Sequence, residues 1–353
     1  MDKERLSQFA EKVFVDLAGT MTAGMAYLGV ATGLFQVMAG RGPLTIDAVT
    51  EASGLQRRYV EEWLGGMAAG GYLDYDPDQG TFALPEEHAY LLASEGTDHY
   101  VGGLYYAVLG NLSVGPRVAR AFREGGGVPF DDFPEEFLVG LDLMNRGAYD
   151  RRLVGEWLQE MPDAVKALES GGSSLDVGCG VGRVSLNLAR AYPNSRFVGV
   201  DVHGDSIASA RAAAEAEPET VGGRLTFVRG SLEALERGAT FDLITACDCV
   251  HDFASPEETL GMIRERLTPG GSLLVIEPKV ADKLEDNINS MGAMFYGFSL
   301  FHCMTQSLAQ GGPGLGTCMG PARTEALMRQ AGFTQFRALP IRSRVNLFYE
   351  VKA

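Results

Sequence analysis

The stretch "LDVGCGVG", residues 175–182, constrains this chain more than any other. An apolar strand carrying one acid, Asp176, runs straight into a turn with glycines at 178, 180 and 182, and "RVSLNLARAY" then reads as a helix. Strand, glycine turn and helix open a βαβ unit in which backbone can approach a ligand closely. The spacing is G-x-G-x-G, whereas dinucleotide-binding loops read G-x-G-x-x-G, so the ligand need not carry a pyrophosphate. A second acid, Asp201, ends the next strand, "RFVGVD". There a carboxylate can accept both hydroxyls of a ribose.

The same alternation continues to the C-terminus. "LTFVRG", "FDLITAC" and "GGSLLVIEP" read as strands, "SIASARAAAEA" and "PEETLGMIRERL" as helices, and "TQFRALPI" and "NLFYEVKA" as a terminal hairpin. This predicts an α/β fold: a doubly wound Rossmann-like sheet over residues 171–353 with its last strand antiparallel. A largely uncharged insertion at 279–320 reads as a lid.

The N-terminal half is different. Leu6, Phe9, Val13 and Leu17 mark an amphipathic helix, and a second helix is expected around 25–39, where Gly29-x-x-x-Gly33 would let another helix approach closely. Residues 44–92 read helix, helix, hairpin with an Asp-Pro-Asp-Gln-Gly tip, which completes a winged-helix pattern. The expected domains are a winged-helix dimerisation domain at 1–95, a helical linker and substrate roof at 96–170, and the α/β domain at 171–353. A Gly-rich break, "REGGGVPFDDFP", interrupts the roof, and Phe137, Leu141, Met144 and Tyr149 on the next helix read as core residues.

Charge narrows the partners. A net charge of −16 repels phosphate backbones. The would-be recognition helix sets Glu61 and Glu62 against Arg57 and Arg58, so no nucleic-acid partner is expected. Residues 17–40 carry no charge and are long enough to span a bilayer, but they contain five glycines, three threonines and Gln36. A helix buried in a homodimer is the expectation, with no membrane partner. Five cysteines without paired spacing, and no signal peptide in "MDKERLSQFAEK", fit reduced thiols in a cytoplasmic protein.

On these motifs residues 173–353 resemble the class I S-adenosylmethionine-dependent methyltransferases. The resemblance implies that Asp176, Gly178, Cys179, Gly180 and Gly182 form the nucleoside-binding loop. It further implies that Asp201 and Val202 meet the ribose end, that Gly230, Ser231 and Leu232 form the adenine turn, and that Cys247 and Asp248 lie at the cofactor-facing end of the fourth strand. A winged-helix half joined to this domain is similar to the plan of small-molecule O-methyltransferases. By that likeness His251 of "CDCVHDF" is the general base, Asp252 a substrate or orienting contact, Glu277 the carboxylate that orients His251, and Met144 an apolar contact near the substrate. The chain is also similar to metal-dependent α-keto acid C-methyltransferases, in which His251, Asp252 and His302 would hold a divalent or ferric ion and His302 would face the substrate.

The physical chemistry fits the first assignment. A methyl sulfonium is an activated donor, so the protein must align an acceptor and remove its proton. A neutral imidazole suits that near pH 7, and a carboxylate can hold its tautomer. Two imidazoles and a carboxylate on one face would instead leave open positions on a metal for a chelating substrate. A zinc site from Cys247, Cys249, His251 and Cys303 is a third arrangement, without the C-x-x-C pair such sites favour. Arg117, Arg120, Arg123 and Arg146 are available to a substrate carboxylate, with surface ion pairs as their default role. The expected reaction is methyl transfer from S-adenosylmethionine to a small molecule, at a hydroxyl with His251 as base. The alternatives are the metal-assisted version and, more distantly, a ligand-sensing winged-helix regulator.

Overall fold

Five apolar runs of the C-terminal half form the parallel ladders of a seven-stranded sheet. β3 (Ser173–Val177), β4 (Arg196–Asp201), β5 (Leu225–Arg229), β6 (Phe241–Cys247) and β7 (Leu267–Pro278) run parallel, and β9 (Asn346–Lys352) inserts antiparallel between β7 and β8 (Gln335–Ala338). The order is β5-β4-β3-β6-β7-β9-β8. β3 is therefore flanked by β4 on one side and β6 on the other, and the loops leaving β3 and β6 diverge around a crevice at the strands' C-terminal ends. The parallel strands are nearly continuous hydrophobic runs because both of their faces are covered. Leu175, Ile244, Leu273 and Val275 are buried with Leu260 and Ile263 of the helix Pro256–Glu265 and with Leu327 and Met328 of the helix Pro321–Gln330.

The computed structural model describes residues 1–353 as two units, Met1–Leu109 with Val139–Ala148, and Gly110–Leu138 with Tyr149–Ala353. The first begins with α1 (Lys3–Ala31), α2 (Leu34–Met38), α3 (Ile46–Ser53) and α4 (Arg57–Ala69), followed by the hairpin of β1 (Asp74–Asp76) and β2 (Thr81–Ala83). Asp2 caps α1 by accepting the amides of Glu4 and Arg5. The two helices expected over residues 1–40 are divided differently: α1 runs unbroken through Gly19, Gly24 and Gly29, and the chain turns only at Gly33, in the left-handed region at φ 73°. The role expected of Gly29 also changes. A Cβ there would sit 2.6 Å from both the Phe35 and Trp63 rings, so the missing side chain admits aromatic rings of its own unit. Trp63 donates its indole N–H to the Met25 carbonyl at 2.8 Å.

On α4, Arg57 pairs with Asp47 and Glu61, and Arg58 with Glu62, so the helix at the recognition position has its cations neutralised. Met144 is half-buried on the helix Glu135–Arg152, within the portion that packs on Gly103 of the first unit. Much of α1 is exposed in the single chain, including Leu6, Phe9, Phe14 and Met21, and by length and composition it could cross a bilayer.

Packing at Gly29 yields a paired test. Gly29→Ala is expected to lower stability by about 1–3 kcal/mol through overpacking. Gly24→Ala, where nothing lies within 4 Å of the new methyl, should be neutral or stabilising by about 0.5–1 kcal/mol. Thermal melts of the two variants beside wild type decide the matter.

Candidate active site

The loop after β3 is built for close approach. Gly178, Gly180 and Gly182 all have positive φ, at 66°, 52° and 79°. Gly178 and Cys179 continue the sheet by donating to the Val200 carbonyl at 2.9 and 3.1 Å, while a Cβ on Gly180 would meet nothing within 4 Å. Open space above an exposed backbone is what a bound nucleoside requires. Asp201 holds the loop to the end of β4: its carboxylate accepts the Gly180 amide at 2.9 Å and the His203 amide at 2.8 Å, leaving lone pairs for further donors. Asp176 is buried beneath the loop, bonded by Thr245 at 2.7 Å, and burial pushes its carboxyl up to about 7, with Asp201 adding to the rise. Val202 is exposed beside Asp201, whereas the Leu232 side chain belongs to the core, so only its backbone is free to meet a ligand. Ser231 accompanies it, bonded to Glu233 at 2.7 Å, after the extended turn at Gly230.

Two neighbouring strands bring an imidazole and a carboxylate together. β6 ends at Cys247, and a short 3-10 turn, Val250–Asp252, presents His251. The parallel register pairs Cys247 with Ile276, so Glu277 is the next residue along β7 and faces that turn. His251 Nδ1 lies 2.6 Å from Glu277 Oε2, and the other carboxylate oxygen accepts the Val250 amide at 3.2 Å. His251 and Glu277 are 2% and 3% exposed, so both charges sit out of water. That burial makes this ion pair energetically different from the surface ones. Removing one partner of a buried pair costs about 3–5 kcal/mol, against about 0–1 kcal/mol at the surface. Burial alone would lower the His251 pKa, but the Glu277 and Asp252 carboxylates outweigh it and hold it well above its ordinary value. With Nδ1 engaged, Nε2 is the ring nitrogen left for proton transfer. It stands 3.6 Å from Asp252 Oδ1, a buried oxygen with no hydrogen-bond partner.

The insertion after β7 roofs this turn. The helix Ser290–Phe298 continues through a π-turn, Ser299–Cys303, into the helix Met304–Ala309. Such bulges redirect side chains and concentrate at functional sites. Here adjacent residues separate. Cys303 Sγ, with a His251 nitrogen and an Asp252 oxygen, forms a group whose atoms lie within 4.8 Å of one another. His302 packs instead among Phe130, Phe133 and Phe137, at ring separations of 5.5, 5.0 and 4.6 Å. Its Nδ1 is buried without a partner, and burial, helped by His251, lowers its pKa to about 3. Cys303 thus joins His251 and Asp252 as a donor that the expected ligand set did not include, while His302 lies outside that group but near enough to His251 to be influenced by its charge. The sulfur-rich zinc arrangement is corrected, because Cys249 turns its Sγ to the Val177 carbonyl at 3.2 Å. Burial raises the Cys179, Cys247 and Cys303 thiols above their ordinary range. Of the arginines, Arg117 pairs with Asp132 and Arg146 with Glu95 and Asp142, as surface partners do.

Comparison with known proteins agrees with this architecture. Residues 20–94 match the family model described as an Rv2258c-like winged HTH domain, and residues 175–273 match one described as a methyltransferase domain. The chain thus joins a winged-helix domain to a methyltransferase domain of class I fold. Human N-acetylserotonin methyltransferase, solved with S-adenosylmethionine, superposes with a TM-score of 0.66 at 20% identity, covering 98% of each chain. An O-methyltransferase family protein from Burkholderia thailandensis gives 0.65 at 19% identity over 100% of this chain and 98% of its own. The mitochondrial ubiquinone biosynthesis O-methyltransferase of Schizosaccharomyces pombe is 31% identical over 106 residues, 30% of this chain and 38% of that one. The chain spans well under two thirds of the length of the curated relatives it matches, at most 60%.

Two residues around the His251 turn had no sequence signal. Phe130 and Phe133 lie in a Gly-rich break, whereas Cys303 entered the sequence reading only as a partner in the sulfur-rich zinc arrangement. Phe137 did read as core, which is also how it packs.

The buried pair predicts a titration. Glu277→Gln removes the charge that opposes desolvation, so the His251 pKa should fall. NMR titration of the imidazole checks the direction, and an unchanged or higher value would contradict the coupling.

Proposed function

We propose that this protein transfers a methyl group from S-adenosylmethionine to a hydroxyl of a small molecule, with His251 as general base. The observation that carries the reading is the buried 2.6 Å contact between His251 Nδ1, just past the end of β6, and Glu277 Oε2, in the last residues of β7. The sulfonium supplies an activated methyl. Everything else falls to this chain's residues. The 178–182 loop, with Asp201, offers backbone and carboxylate groups for the nucleoside, and the open space above Gly180 fits that ligand. Glu277 fixes the His251 tautomer and orientation and stabilises the imidazolium once Nε2 has taken the hydroxyl proton. The roof of 290–309 and the aromatic group of Phe130, Phe133 and Phe137 exclude water, and partly apolar acceptors suit such walls.

A raised His251 pKa has a signed consequence. The base works only when unprotonated, so kcat/KM should rise with pH through an apparent pKa above the ordinary histidine value. Glu277→Gln should move that limb to lower pH. His251→Ala should lower kcat by about 10²–10⁴-fold, with binding of S-adenosylhomocysteine unchanged. Asp201→Ala should weaken that binding by about 10-fold or more, roughly 1.4 kcal/mol. A His251→Ala enzyme with full kcat would defeat the reading.

A second reading has its own observation, the His251–Asp252–Cys303 group. These donors would fit a divalent or ferric ion with open positions for a chelating or α-keto acid substrate. Metal analysis separates the two. About one metal per chain, lost in Cys303→Ser and with turnover abolished by chelators, favours the metal reading; metal-free protein with chelator-insensitive turnover favours the base.

We further propose a cytoplasmic homodimer formed through α1. In support, Leu6, Phe9, Phe14 and Met21 are exposed in the single chain, while Glu11, Lys12 and Asp16 make the first half of the helix a poor membrane span. Light scattering should give twice the chain mass, and Phe9→Asp with Phe14→Asp should halve it.

A further inference from the structure

Asp248 is the only non-glycine residue with positive φ, at 51°. That region costs an L-residue about 1–3 kcal/mol, least for Asn and Asp, and persists only where the surroundings over-determine it. Here they do so from two sides. Asn346 Nδ2, on the first residue of β9, donates to Asp248 Oδ1 at 2.7 Å, and the Tyr149 hydroxyl donates to Oδ2 at 3.3 Å. The Asp248 amide still continues the ladder, donating to the Ile276 carbonyl at 2.8 Å. The next residues leave it: Cys249 points to the Val177 carbonyl, and Val250 and His251 both close on Glu277. Asp248 is thus the corner at which β6 stops being a strand and becomes the turn that carries the imidazole. Tyr149 is itself fixed, edge-on to Trp157 at 5.6 Å, and Trp157 packs on Phe348 of β9 at 4.8 Å.

We propose that Asp248 is a positioning residue: pinned by Asn346 and Tyr149, its left-handed turn sets His251 against Glu277, a role that rests on the His251 base reading. The carboxylate faces neighbouring side chains of the fold, so its contribution is orientation of His251 and not cofactor binding.

The test is a reciprocal exchange. Asp248→Ala and Asn346→Asp should each lower kcat by about 30-fold or more, because small misplacement of a catalytic group is costly, with KM and S-adenosylhomocysteine affinity within about 2-fold of wild type. In Asn346→Asp two carboxylates would face each other. The double variant D248N/N346D restores one donor and one acceptor, and kcat should return to within about 3-fold of wild type. A readout independent of turnover accompanies these assays: the downfield proton of the His251–Glu277 hydrogen bond. It should be present in wild type and in the double variant, and lost in Asp248→Ala. Weakened S-adenosylhomocysteine binding with kcat intact, or no recovery in the exchange, would overturn the proposal. If His251→Ala keeps full kcat while the proton signal still follows Asp248, the base reading fails and the positioning role stands.

Discussion

Two charged groups share a nearly dry contact at the ends of adjacent parallel strands, and much of the molecule serves that contact. A histidine and a glutamate that are 2% and 3% exposed are tolerable only because each satisfies the other and the backbone closes the remaining valence. The β6–β7 register brings the two residues together, the turn at Asp248 aims one of them, and the 290–309 roof keeps water away. Loosening any of these would leave an ion buried without a partner, so the site and the sheet are mechanically one object.

The sheet order explains why the glycine loop after β3 and the His251 turn after β6 occur side by side. β3 and β6 are neighbours, yet they connect to opposite sides of the sheet, and their loops part at their C-terminal ends. The crevice between those loops is floored by Asp176 and Thr245, one from each strand, bonded at 2.7 Å. A cofactor held on the β3 side therefore reaches across to a turn on the β6 side without any lengthy connection.

Much of this was legible in the sequence. The G-x-G-x-G loop, the spaced acid Asp201 and the alternation of strands and helices dictated the sheet, including its antiparallel last strand. The roles expected of His251 and Glu277 come from the resemblance of "VHDF" and "LLVIEP" to small-molecule O-methyltransferases, not from spacing alone. What failed was anything decided by side-chain direction within a helix. His302 and Cys303 are adjacent, and the π-turn brings the Cys303 sulfur to His251 and Asp252 while His302 packs among Phe130, Phe133 and Phe137. Gly29-x-x-x-Gly33 looked like a helix-pairing motif because sequence spacing cannot reveal that Phe35 and Trp63 already occupy that groove. Asp248 is expected from the resemblance to face the cofactor, but its turn is not legible, since a left-handed aspartate looks the same on paper as an extended one.

Cys303 bears on which chemistry the site favours. A thiol ligates metals as the thiolate, and burial beside Asp252 raises the Cys303 thiol above its ordinary range. Thr317 also holds this sulfur through a 3.0 Å hydrogen bond. A metal arriving there would have to displace a proton from the thiol and compete with the charges on Glu277 and Asp252 for the imidazole. A base also has to shed a proton first, since His251 is held well above its ordinary pKa, but Nδ1 is already held and the carboxylate that would stabilise the imidazolium is in place. On these costs we place proton removal first among the two proposed readings and metal binding second.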